Sequence, residues 1–184
     1  MVLDLSKVSA CLVSPEPLEC GILGTLGDFG EVIVGPGSFS VYGRYLAISQ
    51  ARYDVVYTQD DDCMVPVKEL ALHFDGRFVN NMEPGRLEFY SDGITLIGWG
   101  SFFRKELPER AFRQYNKEYP MDSFFHRLSD RIFTGLTPEK KTVCLPFTHL
   151  PKASAPNRMS AVQSHWDDLN EVRKRLAYIK EAHG

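Results

Sequence analysis

Three short apolar runs, separated by helical patterns within the first 60 residues, constrain the fold of this chain most strongly. The runs are KVSACLVS (7–14), EVIVG (31–35) and DVVYT (54–58), all rich in β-branched residues. Such runs predict strands. Residues 18–26 and 42–51 place apolar side chains at helical spacing between them. Strands that alternate with helices predict an α/β fold, with a mixed, mostly parallel sheet flanked by helices.

The third predicted strand runs directly into three carboxylates, Asp60, Asp61 and Asp62. Adjacent acids repel one another, and a bound cation is the simplest way to remove that repulsion. Alternate residues of an extended segment share a face, so we expect Asp60 and Asp62 to point together and Asp61 to point across. Two hard oxygen ligands suit Mg²⁺ or Mn²⁺. The sequence therefore predicts a metal-dependent enzyme that acts on a nucleotide diphosphate.

A second group of residues is predicted to face the same cleft. Ligands of open parallel sheets bind beyond the carboxyl ends of the strands. Ser14, Pro15 and Glu16 follow the first strand as the acid triplet follows the third. We therefore expect these three residues to face the same cleft as the triplet and to contact the nucleotide diphosphate bound there.

The order of these segments resembles the nucleotide-sugar half of the GT-A glycosyltransferases, whose DxD motif closes such a strand. ITLIGWGSFFRK (94–105) resembles the family's Gly-containing strand before an aromatic-Arg pair, and FFHRLSDRIFT (124–134) resembles its acidic motif at a helix start. Ser129 and Asp130 stand where many members carry Glu-Asp. The resemblance implies one GT-A-like (Rossmann-like) catalytic domain over residues 1–150. Independently of the resemblance, Leu169, Val172, Leu176 and Ile179 form one apolar stripe at helical spacing, so residues 151–184 are predicted to be a loop and an amphipathic helix packed on that domain. Under the resemblance, the short chain implies a trimmed acceptor region.

The resemblance also implies a chemistry. Such enzymes move a sugar from a nucleotide-sugar, most often a UDP-sugar, and Mn²⁺ or Mg²⁺ stabilises the departing diphosphate. Asp60 and Asp62 would hold the ion, and Asp61 would contact the ribose or organise the loop. Many members add a histidine ligand. His149 is our choice because residues 142–149 predict a strand returning to the cleft; His165 is the alternative, and a surface or capping role suits either histidine equally.

An inverting transferase needs a carboxylate that accepts the proton of the acceptor hydroxyl. Asp130 matches the acidic position of the family at the predicted start of a helix, so it is the first candidate. Asp122 is the second candidate, although the sequence favours a role for it in capping the preceding helix. A retaining enzyme would need no such base, and the sequence leaves the stereochemistry open.

Three further residues are candidates for donor binding. Arg44 follows a glycine-rich loop and could reach the diphosphate, although an exposed arginine is the simpler expectation. Trp99 lies between two glycines and could stack on a sugar, although a core tryptophan is commoner. Arg158 could contact a phosphate if residues 151–158 form a loop that closes over the donor.

The composition limits the number of domains, the compartment and the partners that we expect. The 184 residues are 43% hydrophobic, which fits one globular domain with a substantial core. The four cysteines form no CxxC pair, so we expect a reducing, cytoplasmic compartment. No stretch approaches a membrane span, so we expect no membrane contact. We expect a monomer or a homodimer. Residues 1–100 hold 6 basic and 14 acidic residues, and residues 101–184 hold 15 and 10. A carbohydrate or small-molecule acceptor is the default, and the basic second half leaves a hydroxymethylated base in DNA as an alternative.

Two other functions stay open. A nucleotidyltransferase acting on sugar phosphates would also use a metal and carboxylates, but its usual Gly-rich loop with trailing Arg and Lys is absent after the first strand. A divalent-ion-binding module without catalysis is the second alternative. Neither a GxGxxG nor a GKS/T phosphate loop is present.

Overall fold

The computed structural model describes residues 3–14, 17–18, 20–83, 85, 92–150 and 162–183, and the side chains of the last helix from residue 167. The strands are β1 (Val8–Ser14), β2 (Glu31–Pro36), β3 (Val55–Thr58), β4 (Cys63–Met64), β5 (Phe78–Asn81), β6 (Ser101–Arg104), β7 (Lys140–Val143) and β8 (Thr148–His149). The α-helices are α1 (Cys20–Thr25), α2 (Gly43–Ser49), α3 (Val67–Ala71), α4 (Glu106–Tyr115), α5 (Ser123–Leu136) and α6 (Val162–His183). Short 3-10 segments cover Leu5–Lys7 and Gly37–Tyr42.

Six strands form one sheet in the order β2-β1-β3-β6-β5-β7. β1 is parallel to β2 and β3, and β5 is parallel to β7. β6 is antiparallel to both β3 and β5. Five strands therefore run in one direction and β6 alone is reversed, which confirms the predicted mixed, mostly parallel sheet.

Helices cover both faces of this sheet because consecutive strand residues point in opposite directions. Phe103 packs with side chains of α2, α4, α5 and α6 in one hydrophobic cluster. Phe102, the preceding residue, packs with side chains of α1 and α3 in a second cluster. Both rings are fully buried, and burial of a phenylalanine contributes about 1.5–3 kcal/mol. The predicted α/β architecture is thus stabilised by two cores with the sheet between them.

The last helix packs on the body of the protein, as its apolar stripe predicts. Leu169, Val172, Leu176 and Ile179 are at most 3% exposed and belong to the cluster around Phe103. The Arg175 guanidinium donates to the Tyr115 hydroxyl at 2.8 Å and pairs with Glu171 at 2.9 Å. No helix among the described residues is both long and apolar enough to cross a membrane.

Asn80 and Asn81 form the end of β5 and are fully buried, because Thr95, Thr142 and the backbone N–H of Leu145 bond to the two amides. The predicted position of Asp130 was wrong. Asp130 was expected at a helix start but lies well inside α5. The helix begins earlier because Asp122 caps it, accepting the Phe125 N–H at 3.0 Å. Asp122 therefore caps a helix, but it caps the following helix α5 and not the preceding one as predicted.

A candidate active site at the carboxyl edge of the sheet

The parallel strands bring distant parts of the chain to one edge of the sheet. β1, β2 and β3 end there at Ser14, Pro36 and Thr58. The reversed β6 begins at the same edge, because Thr58 pairs with Ser101. The Asp60 N–H donates to the Gly98 carbonyl at 2.7 Å. The acid triplet therefore lies where the sequence placed it, beyond the third strand.

The triplet does not continue β3 as an extended segment. Asp61 and Asp62 form a turn, and the Gln59 side chain donates to the Cys63 carbonyl at 2.7 Å across it. The chain turns because β4 then pairs with β8 in a separate ladder. The extended conformation on which the predicted alternation of the carboxylates was based is therefore wrong. All three line one pocket of about 280 Å³, the triplet pocket, together with Val13, Gly37, Ser40, Val41 and Arg44.

Arg44 is buried, contrary to the expectation of an exposed arginine. Its side chain is 1% exposed, and its Nη2 lies 2.6 Å from Asp60 Oδ1 and 3.7 Å from Asp130 Oδ2. A buried guanidinium is tolerated when carboxylates pair with it. Arg44 thus joins the carboxylate after β3 to one on α5. Its helical spacing from Ala47 and Ile48 on the buried face of α2 was the signal in the sequence.

Asp130 lies beside Arg44 with 15% of its side chain exposed. The Tyr45 hydroxyl donates to Asp130 Oδ1 at 2.8 Å. Burial raises the pKa of Asp130, although the Arg44 charge opposes that shift. Burial also raises the pKa of Tyr45 well above its usual value, so this hydroxyl stays a neutral donor. No pattern in the sequence indicated Tyr45, apart from its position next to Arg44.

A second pocket of about 420 Å³, the Asp130 pocket, adjoins the triplet pocket and shares Ser40, Val41 and Asp60 with it. Its remaining lining residues are Leu96, Gly98, Trp99, Arg127, Leu128, Asp130, Arg131 and Asp168. The volume lies within the range of about 300–1,000 Å³ typical of small-molecule sites. The two predicted carboxylate ligands, Asp60 and Asp62, and the predicted base Asp130 therefore line neighbouring pockets that share Asp60.

Two glycines allow this close packing. A Cβ on Gly98 would lie 2.0 Å from Asp60 Oδ2, so only glycine leaves room for that carboxylate. Gly100 has φ +98°, which side chains rarely adopt. Between them, Trp99 is 9% exposed and stacks on Phe147 with ring centroids 5.1 Å apart. Trp99 is accordingly a core residue that also forms part of the wall of the Asp130 pocket.

His149 reaches the neighbourhood of the triplet. It pairs with Cys63 in the β4–β8 ladder, and the Leu150 N–H donates to the Asp62 carbonyl at 2.6 Å. Its exposed ring contacts Trp99 and Phe147. Within the described part of the chain, no group of three or more His, Cys, Asp or Glu side chains is placed to hold a metal ion. Metal binding by Asp60, Asp62 and His149 stays a prediction.

The donor set nevertheless suits a hard cation. Three carboxylates line the triplet pocket, and oxygen ligands are those that Mg²⁺ and Mn²⁺ prefer. Mg²⁺ commonly keeps several waters and uses one or two carboxylates together with substrate phosphates, so a closed protein cage is not required.

Of the other residues predicted for the site, some lie near the two pockets and others do not. Ser14 Oγ donates to Asp61 Oδ2 at 2.5 Å, which places Ser14 beside the triplet. Asp122 is not among the described residues that line either pocket. Pro15, Glu16 and Arg158 lie outside the described residues, and His165 lies in α6 before the point where its side chains are described.

Ser40, which lines both pockets, was missed in the sequence. It has φ 54° and ψ −145°, a conformation that is costly for any residue with a side chain. Such strain is of order 1–3 kcal/mol and clusters at functional sites. The neighbouring contacts that hold this conformation come from Tyr42 and Phe39, which pack against His126 of α5.

Replacing Ser40 with glycine is expected to stabilise the protein by about 1 kcal/mol, because relief of strain exceeds the added flexibility of the unfolded chain. The melting temperature should rise by about 2–4 °C for a chain of this size. Ser38→Gly is the matched control, since Ser38 is equally exposed and has a negative φ. That control should lower the melting temperature, and a fall in both variants would contradict strain at Ser40.

No protein-family model matches this chain. No curated protein is similar to it at a significant level. Among solved structures, the chain is similar to the crystal structure of A197 from STIV, with a TM-score of 0.46 and 12% sequence identity over 79% of this chain and 86% of that one. A likeness of this degree says nothing about activity.

Proposed function

We propose that this protein is a divalent-metal-dependent glycosyltransferase that moves a sugar from a nucleotide-sugar, a UDP-sugar in the first instance, to a hydroxyl group of an acceptor. One observation carries the proposal: the triplet pocket and the Asp130 pocket meet at Asp60. A nucleotide diphosphate in the first pocket would direct its sugar into the second. The group that leaves and the group that attacks would then lie on opposite sides of one carboxylate.

The triplet pocket supplies the donor half of the proposal. Three carboxylates repel a diphosphate, so donor binding there requires a divalent ion between them. Asp60 and Asp62 would hold the ion, with His149 as a further candidate, and Arg44 keeps Asp60 in place. When bound, the ion supplies positive charge that stabilises the departing diphosphate. Asp61, held by Ser14, organises the turn.

The Asp130 pocket supplies the acceptor half. In an inverting reaction the acceptor oxygen forms a bond to the anomeric carbon, the bond from that carbon to the phosphate oxygen breaks, and the acceptor proton passes to Asp130. The Tyr45 hydroxyl and the Arg44 guanidinium contact the Asp130 carboxylate and orient it. A raised pKa makes Asp130 a stronger base than an exposed carboxylate, provided that it is ionised at the working pH.

The cellular compartment is also part of the proposal. All four cysteines are free, and Cys11 and Cys63 are buried. Free thiols and a nucleotide-sugar donor fit a cytoplasmic enzyme.

The proposal is tested by incubating the purified protein with UDP-, GDP-, ADP- and dTDP-sugars in the presence of Mn²⁺ or Mg²⁺. We expect release of nucleoside diphosphate that depends on the metal and is lost on chelation. Release of pyrophosphate from nucleoside triphosphate and sugar phosphate would identify a nucleotidyltransferase instead. Metal-dependent nucleotide binding without any turnover would leave only a binding module.

A further inference from the structure

We propose that the pocket between α2 and α4, the α2–α4 pocket, binds a small uncharged aromatic molecule and that Tyr45 couples this site to Asp130. The pocket is separate from the proposed active site, since it shares no described lining residue with the triplet pocket or the Asp130 pocket. Its apolar wall consists of Tyr42, Tyr45, Ile48, Pro108, Phe112 and Met121.

The α2–α4 pocket has the size and place of a ligand site. Its volume is about 450 Å³, within the range of about 300–1,000 Å³ typical of small-molecule sites. Lys105, which lines it, follows the end of β6 and pairs with Asp54 just before β3. The pocket therefore lies on one face of the sheet and reaches the edge opposite the acid triplet.

Three aromatic rings of the wall determine which ligand fits. Phe112 lies edge-on to Tyr45 with ring centroids 4.8 Å apart, and Tyr42 lies 6.0 Å from each of them. Such rings pack best against another aromatic ring. The half-buried Tyr42 has no hydrogen-bond partner for its hydroxyl in the described part of the chain, so that group is left for a ligand or water.

The charged groups of the lining favour neither an anion nor a cation. They are two basic and two acidic side chains, Lys105, Arg113, Glu106 and Glu109, whose formal charges sum to zero. Arg113, Glu106 and Glu109 are exposed. Exposed charges gain little from pairing with a charged ligand, which would also lose hydration against the apolar wall. An uncharged ligand avoids that cost.

Tyr45 joins the α2–α4 pocket to the proposed base. Its ring lines the pocket, whereas its hydroxyl donates to Asp130 Oδ1 at 2.8 Å. The side chain is only 5% exposed, and close-packed interiors transmit small displacements. A ligand packed against the ring would favour the position in which the bond to Asp130 is formed. Ligand binding and the position of Asp130 are therefore coupled, and such coupling is reciprocal.

Tyr42 provides a second connection. Its ring stacks on His126 of α5 with centroids 4.9 Å apart. It also ends the segment Gly37–Tyr42, in which Ser40 and Val41 line both pockets of the proposed active site. A ligand of the α2–α4 pocket would thus contact two side chains that are attached to the active-site walls, which makes this pocket an effector site.

Binding is tested with three probes of similar shape: 2-phenylethanol, phenethylammonium and 3-phenylpropionate, titrated against the full chain by saturation-transfer NMR. We expect the uncharged 2-phenylethanol to bind about fivefold more tightly than either charged probe. Ser49→Trp should abolish binding by filling the pocket, whereas Gln50→Trp, at the next exposed position and outside the lining, should not. No binding of 2-phenylethanol, tighter binding of a charged probe, or unchanged binding to Ser49→Trp would overturn the proposal.

The coupling is tested by its reciprocal effect, which needs no enzymatic activity. Tyr45→Phe keeps the ring but removes the bond to Asp130, and Asp130→Ala removes the same bond from the other side. Each should lower the affinity for 2-phenylethanol about fivefold, and the double variant should lower it no further. Asp168→Ala is the control, because Asp168 lines the Asp130 pocket but pairs with Arg127. Unchanged affinity in Tyr45→Phe, with the fold verified by circular dichroism, would overturn the coupling.

The effect on catalysis rests on the proposed function. Saturating 2-phenylethanol should raise kcat for nucleoside diphosphate release about fivefold in the parent protein and should leave kcat of Tyr45→Phe unchanged. Absence of any turnover would count against the proposed function alone, since binding and reciprocal coupling are measured without it. Turnover that does not rise with the probe in the parent protein would overturn the coupling.

Discussion

Asp62→Ala is expected to abolish metal-dependent binding of nucleoside diphosphate while the fold is kept. Asp62 lines the triplet pocket, and a cation there would lose one of its carboxylate ligands. We expect the affinity for UDP in the presence of Mn²⁺ to fall by about 100-fold or more, since even residues behind a metal ligand contribute about 10–100-fold. The fold should survive because the contact that joins this turn to β8 uses the Asp62 carbonyl, which alanine keeps. Calorimetry measures the affinity and circular dichroism the fold.

Asp54→Ala is the control for this variant. Asp54 immediately precedes β3, at the opposite end of the strand from the triplet, and its side chain is exposed and paired with Lys105. Asp54→Ala removes the same charge at the other end of β3 without touching the triplet pocket. Affinity should stay near that of the parent protein. If Asp62→Ala also kept its affinity, the triplet would not be the donor site.

The fold was predictable from sequence where its signals are local. The β-branched runs that became β1, β2 and β3 lie within a residue or two of their predicted bounds. The stripe of α6 predicted both the helix and its buried face, because residues three and four apart share one side of a helix. These patterns need no knowledge of distant residues. The residue type of Asp122 predicted a capping role but not the right helix, since it caps the following helix α5 through the Phe125 N–H.

The site was predictable only in part, because its geometry depends on contacts between residues far apart in the chain. The carboxylates were identified by type and by their place after a strand. Burial of Arg44 depends on Asp60 and Asp130, and the bond from Tyr45 to Asp130 spans 85 positions. The turn at Asp61 arises from pairing of β4 with the distant β8. The periodicity of a sequence carries no information about which distant residues pair.

Asp130→Asn is expected to keep donor binding and to lose transfer. Asn has the same size and still accepts the Tyr45 hydroxyl, but it cannot take a proton from an acceptor. General base catalysis contributes about 10²–10⁴-fold, so kcat should fall by about 10³-fold with little change in the affinity for UDP and Mn²⁺. Initial rates of nucleoside diphosphate release with an accepted acceptor, together with calorimetry, separate the two effects.

The pH dependence of kcat/KM gives the same residue a second test. Because burial raises the pKa of Asp130, its base form is lost as the pH falls through a value above that of an ordinary carboxylate. In the parent protein, kcat/KM should therefore begin to fall at a higher pH than it would with an ordinary carboxylate as the base. The residual activity of Asp130→Asn should show no such acidic limb. Asp122→Asn is the matched control, since asparagine also caps helices well and should leave both the rate and the limb unchanged. Near-native turnover in Asp130→Asn, or loss of turnover in Asp122→Asn with the fold intact, would transfer the role of base away from Asp130.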